Sequence, residues 1–508
     1  MRSVRGSIAA GHAETAKAGV QALRDGGNAF DAAVAALCAA CVAEPVLASL
    51  GGGGFLLARP AGRAPVIYDF FAQTPRRKRR EADTALYPVE VDFGDARQEF
   101  HIGKGAIAVP GVIAGVLAVH EDLCRLPLAE LVAPASALAR EGVEINPFQH
   151  GFATIIQPIL RASPEAFALH ATPERPDRLA RPGDRVRLPD LADSLEAIAA
   201  EGGALLYDGP WGERLVADCA DGGHLTLADL QAYRVARRKP LVSAYRDGRI
   251  FTNPPPALGG GLILFALGLL SEVGLGAMPW RGGGHLHALA RSMELTQRLR
   301  REGREGIAPG DDPLAAELRE LMARDAVFAR GTTQISIADA QGNLASLTLS
   351  NGEGCGYVLP GTGIVMNNML GEEDINPHGF HRWPPNRRIS SMMSPTLLRK
   401  RDGTWVVTGS SGSNRIRSAI LQVLVNLVDF GLPLGDAVAA PRIHFEGDLL
   451  NLEPPVDGDT LRQLAARWPR MKLWTAQSVF YGGAHSVQLG PDGELCGAGD
   501  QRRGGVVL

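Results

Sequence analysis

The chain has 508 residues, 45% of them hydrophobic and 21% charged, with a formal net charge of -3. That is a globular composition, long enough for one large domain or two to three ordinary ones. The near-neutral balance gives no footing for nucleic acid or an anionic membrane. The opening stretch MRSVRGSIAAGHAETAKAG contains no apolar core of a secretory leader. The longest apolar run, Ala32 to Ala43, is too short to span a bilayer, so the expectation is a soluble cytoplasmic protein.

In chain order, residues 12–55 predict two helices and a glycine loop. Gly26-Gly27 end the first helix and Pro45 stops the second, which is Ala-rich and buried. Gly51 to Gly54 lack both the G-K-[ST] ending of a phosphate loop and dinucleotide spacing. They read as sites of close backbone packing. Cys38 and Cys41 form a C-x-x-C inside the helix pattern and read as small packing residues. The run Arg76, Arg77, Lys78, Arg79, Arg80 reads as a solvated loop. From about Gly115 to Pro240, helical stretches alternate with polar loops. NPPPALGGGLILFALGLL (Asn253 to Leu270) predicts a proline turn, a glycine loop and a buried helix. His285 and His287 have no nearby carboxylate or cysteine partner, so the H-x-H is not read as a zinc site. Between about Gln297 and Arg330 the chain is charged and helical with few large apolar anchors, a mobile tail.

Short alternating strands follow. In the first, Thr332, Gln334 and Ser336 share one face and Thr333, Ile335 and Ile337 the other. In the second, Ser346, Thr348 and Ser350 oppose Ala345, Leu347 and Leu349. The loop Ala340-Gln341-Gly342, with Gly342 in the left-handed position, makes them a hairpin. Its register sets Thr332 against Ser350, Gln334 against Thr348 and Ser336 against Ser346. Directly opposed hydroxyls are within hydrogen-bonding reach, and a slip of one residue turns the wrong face inward. By themselves these strands also fit an ordinary sheet with a hydroxyl-rich solvent face.

The segment Thr332-Thr333-Gln334-Ile335-Ser336-Ile337-Ala338-Asp339-Ala340-Gln341-Gly342-Asn343 resembles the nucleophile motif T-T-H-x-S-x-x-D-x-x-G-N. That motif belongs to the gamma-glutamyltransferase (gamma-glutamyltranspeptidase) family of N-terminal nucleophile hydrolases. GGNAFDAAVAA, VPGVIAG, NPPPALGGG, GTGIVMNN, RRISSMMSPT, TGSSGSNRI and APRIHFE match further family segments in order, across nearly the whole chain. The resemblance implies an α+β fold, a four-layer αββα sandwich. It also implies a precursor that cuts itself at Gly331–Thr332, giving a large piece (1–331) and a small piece (332–508) that remain one structural unit. Thr332 is then nucleophile, with its own freed α-amine as general base. Gly331, lacking a Cβ, takes a strained conformation and leaves room for attack.

By the same resemblance Ser350 orients the Thr332 hydroxyl, and Gly412 and Ser413 form the oxyanion hole. They lie in the loop Gly409 to Asn414, ahead of an amphipathic helix carrying Ile416, Ile420, Val423, Leu424 and Leu427. The family usually has two adjacent glycines where this chain has Gly412-Ser413. Ser390, Ser391, Glu372, Thr348 and Asn351 are the implied substrate contacts. No metal or organic cofactor is implied. The partners implied are a small-molecule amide and the two fragments of one precursor, with neither nucleic acid nor membrane.

The family's carboxylate-binding arginine is replaced by Phe71, in FFAQTP, and the neighbouring glutamate by Ala72. Arg76 or Arg77 are the nearby alternatives. Met369 stands where Glu or Gln is usual, with Glu372, Glu373 and Asp374 following. The stretch Ile375 to Asn386 is short where many relatives carry a longer lid. The implied activity is amide hydrolysis or acyl transfer through an acyl-enzyme, on γ-glutamyl compounds such as glutathione or a related small amide. The alternatives are an acylase of non-glutamyl amides (oxamate-like or glutaryl-type) and an inactive binding protein of the same fold.

Overall fold

The Ala-rich run forms the helix Ala29–Ala43, in which every residue is buried. A capping box of Asn28 and Asp31 starts it and Glu44 closes it. Such a box satisfies otherwise orphaned N–H groups at a buried helix end. The computed structural model describes residues 6–92, 97–302, 331–372, 375–376 and 379–508. Residues 303–330, most of the expected tail, lie outside the described residues, as do Glu373 and Asp374; the helix Gly283–Glu302 holds the tail's start.

Two antiparallel sheets form the centre. The seven-stranded sheet runs, in spatial order, Val506–Val507, Gly6–Ala10, Thr333–Asp339, Leu344–Ser350, Gly53–Arg59, Val66–Phe70, Ala236–Arg238. The six-stranded sheet runs Leu495–Ala498, Ser486–Leu489, Trp405–Thr408, Thr396–Arg399, Gly248–Thr252, Leu241–Tyr245. Each sheet therefore takes strands from both sides of Gly331. One outer layer holds the helices Ala13–Arg24 and Ala29–Ala43, packed on Ile335, Ile337, Leu347 and Leu349. The other holds Gly259–Ser271 and Arg415–Val428, continuous with Leu397, Val407 and Phe55. The four-layer αββα sandwich is as expected.

The hairpin register agrees with the sequence reading: Gln334 faces Thr348 and Ser336 faces Ser346. The first strand begins at Thr333, one residue later than predicted, and Gly342 is left-handed at φ 89°. Asp339 organises the turn, accepting from Gln341 N–H (3.0 Å), Asn343 N–H (2.8 Å) and Asn343 Nδ2 (2.7 Å). Its Oδ2 also accepts Ala29 N–H at 2.9 Å, which joins the D-x-x-G-N and GGNAFD segments.

Gly51 to Gly54 behave as read. A Cβ on Gly52 would come to 2.5 Å from Ser350 O, and one on Gly53 to 2.7 Å from Ala72 N. Cys38 and Cys41 are buried free thiols, and burial pushes Cys38 up to about 12. His285 accepts from Arg281 N–H and packs on Phe430, while His287 packs on Trp468.

Three expectations are corrected. Gly259 to Gly261 are the first turn of their helix rather than a loop. A Cβ on Gly259 would overlap Met392 O, and one on Gly260 would overlap Asn253 O. The helix Arg415–Val428 keeps its expected apolar face, but its polar face is buried too, with Gln422 on both backbone groups of Ile443, Ser418 on His444 and Asn426 on Ala437 O. In the basic run Arg76, Arg77 and Arg80 are exposed. Lys78 and Arg79 instead dock it, onto His381 O (3.0 Å) and Gly223 O (2.9 Å).

Candidate active site at the Gly331–Thr332 bond

The polar hairpin face is not a solvent face. Gln334, Ser336, Ser346 and Thr348 are all 0% exposed, closed between the two sheets. Leaving such groups unpaired would cost about 1–3 kcal/mol each. Gln334 Nε2 donates to Ser336 Oγ (3.1 Å) and Ser346 Oγ (3.0 Å), and its Oε1 accepts from Thr348 Oγ1 (2.6 Å). Ser346 donates to Thr408 O and Ser336 to His485 O, both 2.8 Å, which ties the hairpin to the second sheet. Thr348, expected at the substrate, thus has its hydroxyl on Gln334.

This network ends at the Gly331–Thr332 bond. Ser350 Oγ donates to Gly331 O at 2.7 Å, and Gly331 N–H donates to Glu353 Oε1 at 2.7 Å. Gly331 is therefore held on both sides, at the carbonyl of its bond to Thr332 and at the N–H of the peptide before it. Ser350 was expected to orient Thr332 Oγ; its hydrogen goes to the carbonyl instead. Gly331 is not among the left-handed glycines. Its need for glycine is space, since a Cβ would stand 2.7 Å from Gly352 O and 2.8 Å from Val46 O. On the opposite strand face, Glu44 accepts from Thr333 Oγ1 and Thr15 Oγ1, both 2.7 Å, and anchors the strand end. Thr332 itself is 3% exposed.

The loop after Ser350 brings further groups in. Ser350 Oγ accepts Gly352 N–H at 3.0 Å. Gly352 is left-handed at φ 62°, and a Cβ there would overlap Asn368 Oδ1 and Glu372 Oε1. Asn368 Oδ1 accepts Glu353 N–H at 3.2 Å. Asn351 Oδ1 and Asn368 Nδ2 are buried with no hydrogen-bond partner among the described residues, one acceptor and one donor beside the bond. Glu353, Asn368 and Glu44 were not singled out from sequence. Their signals were weak: NGEG directly after Ser350, the second Asn of GTGIVMNN, and the Glu-Pro that ends the Ala-rich helix.

Across the site the strand Trp405–Thr408 runs into the loop Gly409 to Asn414, and a Cβ on Gly409 would overlap the Gln334 amide. Gly412 and Ser413 are consecutive left-handed residues at φ 105° and 55°. Such a conformation costs a non-glycine residue roughly 1–2 kcal/mol, which accounts for the second glycine expected at the Ser413 position. Asn414 makes no side-chain cap to the helix; its Nδ2 donates to Glu446 Oε1 at 2.8 Å.

Phe71 is 2% exposed, its ring stacked on Phe55 at 5.4 Å between centroids. Arg76 and Arg77 point to solvent. The guanidinium that reaches the Phe71 backbone is Arg388, and its fork is spent on Phe71 O, Arg234 O and the Tyr233 hydroxyl. Ser390 and Ser391 lie alongside, since Ile389 N–H donates to Ala72 O at 3.0 Å. Ser391 Oγ accepts Met393 N–H, and Met369 is buried in the apolar core. Glu372 is 3% exposed against Gly352.

The gamma-glutamyltranspeptidase family model matches residues 15–508. Acylase ACY 1 proenzyme of Pseudomonas sp. (strain V22) is 32% identical over 526 aligned positions, covering 99% of this chain and 93% of that protein. Glutathione hydrolase proenzyme of Escherichia coli (strain K12) is 30% identical, covering 99% and 91%. The cephalosporin acylase structure from Bacillus halodurans superposes with a TM-score of 0.83 at 24% identity, over 99% of this chain and 95% of that one, a likeness of fold. With the family model spanning both flanks of Gly331 and two relatives at 30% identity or more along 99% of its length, the chain is an enzyme of the gamma-glutamyltranspeptidase family.

Proposed function

We propose that this protein is a self-processing amide hydrolase whose nucleophile is Thr332, acting on short acyl amides. The observation that carries the reading is the double hold on Gly331, with Ser350 on its oxygen and Glu353 on its nitrogen. A donor already aimed at a carbonyl oxygen stabilises the negative charge that develops there on attack. Thr332 Oγ adds to the Gly331 carbonyl carbon, the C–N bond breaks, and the nitrogen keeps its pair and takes a proton. Water then hydrolyses the ester, freeing the Gly331 carboxylate and the Thr332 hydroxyl, and leaving the amine that the first step released. With a reference pKa of about 7.7–8.0, that amine serves as base for the next acyl transfer.

The preferred substrate is an amide of oxamate-like or glutaryl type rather than a complete γ-glutamyl group. The support is Phe71, whose ring cannot replace a bidentate guanidinium, and the buried Met369 in the amine-binding segment. The relative named acylase is consistent with this choice. γ-Glutamyl hydrolysis or transfer is the second reading, favoured by the retained Ser390, Ser391 and Glu372 and by the relative named glutathione hydrolase. Steady-state hydrolysis of γ-glutamyl and short-acyl anilides by the purified protein tests the choice. A higher kcat/KM on the short-acyl anilide supports it, and a strong γ-glutamyl preference overturns it.

A further inference from the structure

Arg503 lies next to Gly412 and is used by nothing described so far. It is 4% exposed, and its Nε and Nη1 have no hydrogen-bond partner among the described residues. Nη2 makes only a long contact, 3.4 Å, to Val479 O, and the Phe152 ring lies 6.0 Å from the guanidinium carbon. A Cβ on Gly412 would stand 3.4 Å from Nη2, and one on Gly483 would meet the Arg503 stem. The charges it feels are Arg415, Asp500 and Glu353. Asp500 is taken by Arg442 (2.6 Å) and Arg502 (3.1 Å), and Glu353 Oε1 holds Gly331 N–H. Burial, with Arg415 beside it, lowers Arg503 to about 10, so it stays cationic at neutral pH.

A buried guanidinium with two idle donors is costly, and native proteins close such groups with an ion, water or ligand. We propose that Arg503 receives a carboxylate at the far end of the substrate's acyl chain, replacing the arginine that Phe71 displaces. The acyl side follows from the self-cleavage geometry and rests on the reading of Thr332 as nucleophile. In the uncut chain Gly331 is the acyl group, and Gly331 sits on Glu353, whose charge Arg503 feels. An incoming acyl group presents its carbonyl to the Ser350 hydroxyl that holds Gly331 O, so its chain extends toward Glu353 and Arg503. The ligand class is a short dicarboxylic monoamide.

The test uses the processed enzyme with glutaryl p-nitroanilide, its methyl ester, and butyryl 4-aminobenzoate, which carries the charge on the leaving side. The wild type should favour the glutaryl anilide over its ester about 10- to 100-fold in kcat/KM, the loss typical of one charge-assisted hydrogen bond. In Arg503→Met that ratio should fall to about one, and Arg503→Lys should recover part of it. Calorimetric titration with glutarate gives a readout without turnover, with binding weakened at least tenfold in Arg503→Met. Equal handling of charged and esterified anilides by the wild type, or a preference for the leaving-side carboxylate, overturns the proposal and leaves the hydrolase reading standing. A chain that neither splits nor cleaves any anilide defeats the hydrolase reading, while glutarate binding still decides the role of Arg503. If Arg503→Met does not fold, the wild-type comparison of acid and ester is decisive.

Discussion

The hydroxyl of Ser350 donates to the carbonyl oxygen of Gly331 at 2.7 Å, just beyond the end of the hairpin ladder, where Thr333 pairs with Leu349. One alternating polar face therefore ends in a donor on the carbonyl that Thr332 would attack. Removing that donor should slow self-cleavage more than it disturbs folding. Ser350→Ala should accumulate uncut chain, with a rate lower by roughly 10²–10³-fold, the usual loss for one oxyanion donor. A time course on a denaturing gel reads this. Wild-type processing in the alanine variant would mean that the hydrogen bond is only structural.

Thr332→Ala should remain uncut and inactive, because it removes the attacking oxygen. Thr332→Ser keeps the oxygen and should mature, more slowly. Melting temperatures for both should stay near that of the uncut wild-type fold. Efficient cleavage of the alanine variant would remove Thr332 from the mechanism.

Period-2 alternation and a three-residue loop made the hairpin and its register readable from sequence. Alternation says that a strand has two faces, but not what covers the second. The closing of Ser346 and Ser336 between sheets depends on Thr408 and His485, far along the chain. The burial of the polar side of Arg415–Val428 was hidden for the same reason, since Gln422 pairs with Ile443, Ser418 with His444 and Asn426 with Ala437. Glu353 and Asn368 sit in loops without periodicity; left-handed glycines flank Glu353, with Gly352 and Gly354 at φ 62° and 81°, and nothing comparable marks Asn368.

Phe71→Arg should raise kcat/KM for γ-glutamyl anilides relative to the same amides without the α-carboxylate. A charge-assisted hydrogen bond regained is about 1.5–3 kcal/mol, or roughly 10- to 100-fold. The new side chain also opens the Phe55 stack, so part of the gain is offset by lost packing. A wild type that already prefers the carboxylate-bearing amide, unimproved by Phe71→Arg, would contradict the absent clamp.

Acid should destabilise the fold well above the carboxylate range. Burial lowers His485 to about 4, with Arg503 and Arg442 acting in the same direction against Asp500. The unfolded imidazole titrates near 6.5. Between pH 6.5 and 4 the unfolded chain binds more protons, so stability is full above 6.5 and declines as pH falls. The His485 share is about 3 kcal/mol across that window. His170 and His285, also lowered to about 4 by burial, add in the same direction. In His485→Asn, which can still accept Asp500 N–H, the melting temperature should fall less steeply from pH 7 to 4.5. A curve as steep as wild type would assign the acid sensitivity elsewhere.

The most direct measurement is N-terminal sequencing and intact mass of the purified protein after full incubation. The expected result is a fragment of about 19 kDa that begins Thr-Thr-Gln-Ile and spans residues 332–508, with anilide hydrolysis rising as it appears. A fragment that begins at another residue, or a single unbroken chain with full activity, would contradict Thr332 as an N-terminal nucleophile.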